Sequence, residues 1–364
     1  MNRTIRIFAT SDLITDQRVH RTASSLTKAG YRVILTGRKP SGIKSNNSFP
    51  YKVKYIGCLF SKGPLFYFAF NFRIFFSLVF SRFSAVYAND LDTLPGCWFA
   101  SIFRFKPLVY DSHELFPDIP ELIGRPIKRL IWRITERMFI RRAKFVFTVS
   151  ESVAVELQKR YNVNPIVVRN TAIKREIEAF KDKRPTLIYQ GSLNKGRGVE
   201  VAIDMMKFLT CYRLVIVGKG DVEIELRQRM LDQKLFDRVE FAGRLEPDDL
   251  YRLTCTAWIG LSLEEDMGLN YRYALPNKVF DYIAAQVPVF VSDLPEMRKL
   301  VEDYGVGIIA NSRDSRMLAD QVADFFENKE LMESVAKNVQ KASVELQWNR
   351  EEFKLIDPIK NLLN

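Results

Sequence analysis

The sequence predicts an α/β protein made of two Rossmann-like, doubly wound parallel-sheet domains. Short β-branched or aromatic runs alternate with helical patterns, as expected where helices wrap a parallel sheet. This alternation restarts at Leu187 after a polar stretch. The chain has 364 residues, more than a single hydrophobic core usually serves. Its 47% apolar and 27% charged residues are ordinary for a folded chain and leave little room for long disorder.

The first domain is expected over residues 1–171, with strands at Ile5–Ala9, Arg32–Thr36, Lys52–Ile56, Ala85–Ala88, Leu108–Tyr110 and Phe145–Val149. The second is expected over 172–345, with strands at Leu187–Gln190, Leu214–Val217, Val239–Phe241, Ala257–Leu261, Pro288–Val291 and Gly307–Ile309. Between them, Asn170 to Pro185 is polar, alternates in charge and ends in proline, as linkers do. After Ser312 the pattern is helical and predicts two or three helices, the last of which, about 346–364, packs back on the first domain. No short-period repeat or low-complexity tract interrupts the chain.

Met1 to Ala9 alternates like a strand and lacks the apolar core and cleavage site of an export signal. Cys58, Cys97, Cys211 and Cys255 are far apart without C-x-x-C spacing, which disfavours a disulfide framework or zinc knuckle and fits a reducing, cytoplasmic setting. The Phe-rich segment Pro64–Phe83 is long enough to suggest a membrane span, but Asn71 and Arg73 sit in its middle. An arginine there costs roughly 2.5–3.5 kcal/mol on insertion, so the segment reads as an amphipathic or buried helix.

Charge is distributed unevenly. Residues 1–170 carry 27 Lys and Arg against 11 Asp and Glu, a net +16, while the remainder carries −4. The first domain therefore meets the anionic partner: a lipid surface, a lipid-phosphate acceptor or a nucleic acid. In the helical stretch Arg125–Lys144, the arginines Arg129, Arg133, Arg137 and Arg141 recur at i, i+4 and predict a basic stripe. Leu130, Ile131, Ile134 and Met138 line another face, and Trp132 suits a headgroup boundary. The stripe is read as docking on an anionic membrane; a solvated helix face is the alternative.

Ligands of open α/β sheets bind at loops leaving the carboxyl ends of strands. Four such loops stand out. Thr10–Arg18 precedes a helix that Asp16 can cap, with Arg18 close by. Asp111-Ser112-His113-Glu114 places one of the two histidines at a strand end, where imidazole can donate to a sugar hydroxyl or carry a proton. His20 reads as a surface residue. Gly191 to Gly198 is glycine-rich and includes Ser192, Lys195 and Arg197, in outline a diphosphate cradle. It is neither G-x-G-x-x-G nor a P-loop, which disfavours NAD binding and ATP hydrolysis. Gly218-Lys219-Gly220 offers a second glycine-lined turn.

The fourth loop runs from Glu264 to Asp281. Pro276 suits a first helical turn and sets Asn277 and Lys278 at a helix N-terminus. Asp281, nearly one turn on, can accept from two ribose hydroxyls while Lys278 neutralises phosphate.

In combination, Asp16-Gln17-Arg18-Val19, Ala88-Asn89-Asp90-Leu91-Asp92, Asp111-Ser112-His113-Glu114, Val149-Ser150-Glu151-Ser152, Gly191–Gly198 and Leu275-Pro276-Asn277-Lys278 resemble the retaining GT-B glycosyltransferases of family 4, over essentially the full chain. The resemblance implies two domains facing a central cleft. A nucleotide-diphosphate-sugar donor would bind the second domain, and a lipid-linked or oligosaccharide acceptor the first. No cofactor or metal would be needed. It also implies catalytic roles for His113 and Glu265, with Asp16, Arg18, Asp111 and Glu114 lining the acceptor side. Donor contacts would come from Gly191, Ser192, Lys195, Arg197, Gly218, Lys219, Arg272, Asn277, Lys278 and Asp281. Two positions depart from the family pattern. Ser192 stands where an arginine is usual, leaving Lys195 or Arg272 to substitute. Of the paired donor-site glutamates, the second matches Asp281 and the first is displaced to Glu265. Asp90-Leu91-Asp92 has the form of a metal-binding Asp-x-Asp, but is read as a strand end with Asp92 capping the next helix. A protein of this kind would act peripherally at the cytoplasmic face of a membrane, in cell-surface polysaccharide synthesis. The alternatives are a GT-B-fold nucleotide-sugar epimerase and a basic nucleic-acid-binding protein.

Overall fold

A computed structural model describes residues 3–363, apart from 12, 14–15, 39–48, 59, 61–62 and 177–183. Parts of the expected linker, the Thr10–Arg18 loop and the two chain ends thus lie outside the described residues. The contacts divide the chain into two units: Met1–Arg169 with Glu351–Asn364, and Asn170–Arg350.

The strands of unit 1 are β1 (Thr4–Phe8), β2 (Arg32–Arg38), β3 (Lys52–Ile56), β4 (Ala85–Asn89), β5 (Leu108–Ser112), β6 (Phe145–Thr148) and β7 (Ile166–Val167). They form one sheet in the order β3-β2-β1-β4-β5-β6-β7, and every pairing is parallel. Its helices are α1 (Gln17–Lys28), α2 (Pro64–Val79), α3 (Leu94–Phe103), α4 (Pro126–Phe139) and α5 (Glu151–Tyr161).

Unit 2 has β8 (Thr186–Gln190), β9 (Arg213–Val217), β10 (Val239–Gly243), β11 (Ile259–Ser262), β12 (Val289–Val291) and β13 (Gly307–Ile309), in the order β10-β9-β8-β11-β12-β13. Its helices are α6 (Val199–Met205), α7 (Glu223–Asp232), α8 (Pro247–Thr256), α9 (Leu269–Arg272), α10 (Asn277–Ala284), α11 (Pro295–Tyr304), α12 (Ser315–Glu327) and α13 (Lys329–Glu345). Two further helices, α14 (Trp348–Glu351) and α15 (Phe353–Leu363), end the chain, and α15 packs on α1 and β7 of unit 1.

Strands covered by helices on both faces read as continuous apolar runs, which is why Leu214-Val215-Ile216-Val217 and Val289-Phe290-Val291 were legible. The sequence missed β7, whose two residues carry no period. It also predicted two or three helices after Ser312 where there are four, one of them a single turn. His20, expected at the surface, is half-buried. Its ring stacks on Phe49 and bonds to the Tyr51 hydroxyl and the Leu13 carbonyl.

In both sheets the chain leaves the first strand in one direction and returns on the other side, so crossovers reverse between β1 and β4 and between β8 and β11. Such a reversal opens a crevice at the carboxyl ends of the two strands. The loops after β1, β8 and β11 contain Asp16, Gly191, Ser192, Lys195, Arg197 and Glu265, while Asp111 lies on the neighbouring β5 and His113 and Glu114 follow it.

Candidate functional site

In unit 2, the crevice loops are Gly191–Gly198 after β8 and Leu263–Pro276 after β11. Glycine is required where they touch their neighbours. A Cβ on Gly218 would come 1.8 Å from the Gly191 carbonyl oxygen, and one on Gly198 would come 1.9 Å from that of Leu263. Both also have positive φ, 142° and 75°. The backbone of the two turns is tied by Gly191 N–H donating to Val217 O (2.9 Å) and Leu193 N–H donating to Lys219 O (3.0 Å).

Lys278, in the first turn of α10, lies at the centre of this site. Its Nζ is 2.8 Å from Glu264 Oε1 and 4.0 Å from the centre of the Tyr189 ring. Glu264 is fully buried, accepts from Ser262 Oγ at 2.7 Å, and has Arg197 3.9 Å away. Burial pushes the Glu264 carboxyl up, but the Lys278 and Arg197 charges outweigh it and hold the pKa below the usual range. Burial draws the Lys278 ammonium below its ordinary value in spite of Glu264. Two cations thus share one carboxylate, and Lys278 Nζ has no well-aligned hydrogen-bond acceptor among the described residues. An ammonium has three donors, so at least two remain for an anionic ligand.

Asp281 accepts from Gln190 Nε2 at 3.0 Å, and Thr254 Oγ1 donates to Gln190 Oε1 at 2.9 Å. This fixes the carboxylate one turn beyond Lys278. Ser192, Lys195 and Lys219 are exposed on their turns. Arg272 is engaged by Asp266 at 2.5 Å. Glu265 is half-exposed and faces Arg313 at 3.3 Å, so the glutamate brought against Lys278 is Glu264.

Glu264, Gln190 and Arg313 were not singled out from the sequence. Strand parity points to Glu264, which lies two residues beyond the buried Ser262. Arg313 donates to the carbonyls of Leu263 (2.7 Å) and Glu264 (3.1 Å) and so braces the loop; no local pattern marks it.

Unit 1 has a different kind of cluster. Arg18 is buried and pairs with Asp111 through Nε (3.2 Å) and Nη2 (3.1 Å), while its Nη1 donates to Val168 O at 2.6 Å. Tyr87 OH donates to Asp111 Oδ2 at 2.6 Å. Burial opposes charge on Asp111, but Arg18 and His113 hold it well below the carboxylate range. Asp16 caps α1, accepting from Val19 N–H at 3.1 Å.

His113 is flanked by two carboxylates, with Nδ1 3.4 Å from Asp90 and Nε2 3.3 Å from Asp111, and its backbone N–H donates to Asp90 Oδ1 at 3.0 Å. Burial lowers its pKa, but Asp90 and Asp111 raise it to about 9. Glu114 follows, its carbonyl accepting from Ser112 Oγ at 2.9 Å. The capping expected of Asp92 is not formed: its side chain accepts from Thr10 Oγ1, and the cap residue of α3 is Thr93, which makes no side-chain capping bond. Among the described residues, no three His, Cys, Asp or Glu side chains group as a metal site.

The expected basic stripe is also corrected. Helix α4 ends at Phe139, so Arg141 sits in the following turn and donates to Tyr161 O at 3.0 Å. Arg129 and Arg133 both pair with the buried Asp118, joined there by Arg160. The buried Asp118 thus draws in Arg129 and Arg133, a backbone carbonyl holds Arg141, and Arg137 keeps the expected character.

Two family models together match residues 16–342: glycosyltransferase family 4 over 16–176 and glycosyl transferases group 1 over 170–342. The chain belongs to the family 4, group 1 glycosyltransferases. Among its relatives is the O-antigen chain mannosyltransferase RfbU of Salmonella typhimurium, 26% identical over 182 residues that make up 48% of this chain and 49% of that protein. The matched region thus spans about half the length of that relative. Sucrose-phosphate synthase from Thermosynechococcus elongatus has the same fold, with a TM-score of 0.78 at 15% identity over 99% of both chains. So does Anabaena HepE, solved in complex with UDP and glucose, with a TM-score of 0.76 at 15% identity over 98% of this chain and 99% of that one. The fold of this glycosyltransferase is therefore GT-B in class, with two Rossmann-like parallel-sheet domains.

Proposed function

We propose that this glycosyltransferase moves a sugar from a nucleoside-diphosphate-sugar donor, held by unit 2, to a lipid-linked or oligosaccharide acceptor served by unit 1. The observation that carries the reading is the Lys278–Glu264–Arg197 cluster, which leaves surplus positive charge beside two glycine-lined turns at the β8/β11 crevice. A diphosphate is the ligand such a cluster suits: charge-assisted donors stabilise the oxygen that gains charge as the anomeric bond breaks. Asp281 is set to accept from ribose hydroxyls.

The acceptor oxygen bonds to the anomeric carbon on the face the phosphate leaves, so configuration is retained. The electron pair of the breaking C–O bond passes to the phosphate, and the acceptor proton follows it. The reading invokes no metal, because Lys278 and Arg197 supply the countercharge. The enzyme works peripherally at the cytoplasmic, anionic face of a membrane, in cell-surface polysaccharide synthesis, which is consistent with the basic first domain.

Thermal-shift screening against nucleoside diphosphates and their sugars tests the donor. The true donor stabilises in proportion to the logarithm of its concentration over Kd. Product analysis then tests the reaction. Release of an epimerised nucleotide sugar without an acceptor would replace transfer with epimerisation, and stabilisation by DNA alone would replace both.

A further inference from the structure

Helix α2 is apolar on two opposite faces. Phe66, Phe70, Ile74 and Leu78 are buried against the domain. Two positions on, about 200° around the helix, Phe68, Phe72 and Phe76 extend from Leu65 towards Phe80 along the outer face. Exposure there reaches 71% at Phe68 and 82% at Phe80. A helix that is hydrophobic all round is either buried or in contact with lipid. Sixteen residues span only about 24 Å, short of the roughly 30 Å of a bilayer core. Among the described residues no helix is long and apolar enough to cross a membrane.

The apolar surface continues beyond α2. Phe75 packs edge-on against Phe103 of α3, with ring centres 6.0 Å apart, and Phe99 of α3 lies 5.8 Å from Phe139 of α4. Phe99 and Phe103 are themselves exposed, and α4 adds exposed Ile127, Ile131, Ile134 and Met138. Three neighbouring helices thus present a single ridge, larger than the scattered apolar residues normal on a soluble surface.

Its charge identifies the occupant. Between residues 61 and 106 the only acidic residues are Asp90 and Asp92, and both belong to the crevice cluster. The exposed charges on and beside these helices are mostly cations, Arg73, Arg82, Lys106, Arg125, Lys128, Arg133 and Arg137, against the exposed Glu121 just before α4. A second copy of the chain would bring these cations against their own images. A nucleic acid would neutralise them but offers no hydrocarbon to cover a row of phenylalanines. A leaflet with anionic headgroups above acyl chains supplies both chemistries.

We propose that the ridge of α2, α3 and α4 inserts into an anionic leaflet, with phenylalanines rather than an arginine stripe holding the protein there. This rests on the reading of a lipid-linked acceptor and names the surface that meets the lipid. Arg129 and Arg133 contribute little, because Asp118 already binds them.

Vesicle co-sedimentation tests it, using phosphatidylcholine alone and phosphatidylcholine mixed with phosphatidylglycerol. The wild-type protein should bind the mixed vesicles more tightly, and high salt should weaken that binding without abolishing it. Phe72→Glu with Phe76→Glu should reduce partitioning by on the order of a hundredfold. Phe68→Gln with Phe80→Gln, at still more exposed positions, should also reduce it. Ile224→Glu, at an exposed apolar site in unit 2, should bind like the wild type. Vesicle binding that survives both phenylalanine pairs would overturn the proposal. So would a lipid-free dimer that these pairs dissociate, which would make the partner a second copy. Stabilisation by UDP, measured in parallel, separates the two readings. Its loss with vesicle binding intact counts against the donor site only, and the reverse result counts against the ridge only.

Discussion

The two crevices are opposite in charge to the domains that hold them. The first domain carries a net +16, yet its β1/β4 crevice collects Asp16, Asp90, Asp92 and Asp111 against Arg18 and His113. The remainder of the chain carries −4, yet its β8/β11 crevice sets Lys278 and Arg197 against Glu264, with Asp281 one turn further on and Lys195 and Lys219 exposed on the adjoining turns. Net charge therefore describes the surface that a domain shows to large partners, not the ligand of its pocket. The basic exterior suits an anionic leaflet. The cationic crevice suits a diphosphate, and the acidic one suits hydroxyl groups, which donate to carboxylates.

The contrast is broken most severely by removing a cation that a buried carboxylate depends on. Lys278→Met leaves Glu264 with only the more distant Arg197, 3.9 Å away, and should destabilise unit 2 by about 3 kcal/mol, the low end for single deletions from buried pairs. It should also abolish stabilisation by nucleoside diphosphates. Denaturant melts with and without nucleotide read both effects, and a variant that keeps either one contradicts the role given to Lys278. Arg18→Met leaves Asp111 with His113 at 3.3 Å and the Tyr87 hydroxyl at 2.6 Å, and should cost a similar amount. Its crevice holds carboxylates rather than a phosphate, so nucleotide stabilisation should persist in the folded fraction.

These two residues also show how much the sequence could reveal. Lys278 follows a proline at the start of α10 and Arg18 follows the Asp16 cap in the first turn of α1, so both positions could be inferred from local pattern. Their partners were harder to infer. Asp111 lies 93 residues from Arg18, and only the order of strands in the sheet brings the two together. Glu264 and Glu265 are adjacent in the sequence, and which of them turns inward depends on the loop geometry that Arg313 braces. The strands were legible because helices cover both faces and demand apolar side chains. The basic stripe misled because helical spacing says nothing of a buried Asp118 supplied by another element.

A smaller effect is expected at Asp281. Asp281→Asn preserves a polar contact with Gln190 but weakens acceptance from ribose hydroxyls. A hydrogen bond to a charged group contributes about 1.5–3 kcal/mol, so nucleotide affinity should fall roughly ten- to a hundredfold. Nucleoside and deoxynucleoside diphosphates should then bind the variant with similar affinity. If the variant still prefers ribose, Asp281 does not read the sugar.

The smallest change sharpens the acidic crevice. Asp90 has φ 58°, a left-handed conformation that aspartate and asparagine tolerate better than most residues. Asp90→Asn therefore keeps the backbone and the acceptor for the His113 N–H while removing one of the two charges that face the imidazole. The remaining charges near the ring are Asp111 on β5 and Arg18 on α1. His113, raised to about 9 in the wild type, should titrate at least a unit lower in the variant, closer to the ordinary value of about 6.5. The sign follows from linkage. A raised histidine contributes stability that is complete below about 6.5 and is lost as pH rises through about 9, so the variant should lose that contribution at lower pH. With only His20 and His113 in the chain, imidazole NMR can follow both, and His20→Asn assigns the signals. A wild-type His113 that titrates near 6.5 would show that the carboxylates do not hold its proton and would restore it as a general base at neutral pH. A raised value instead makes it a fixed cation that neutralises part of the acidic crevice, leaving proton transfer to the departing phosphate.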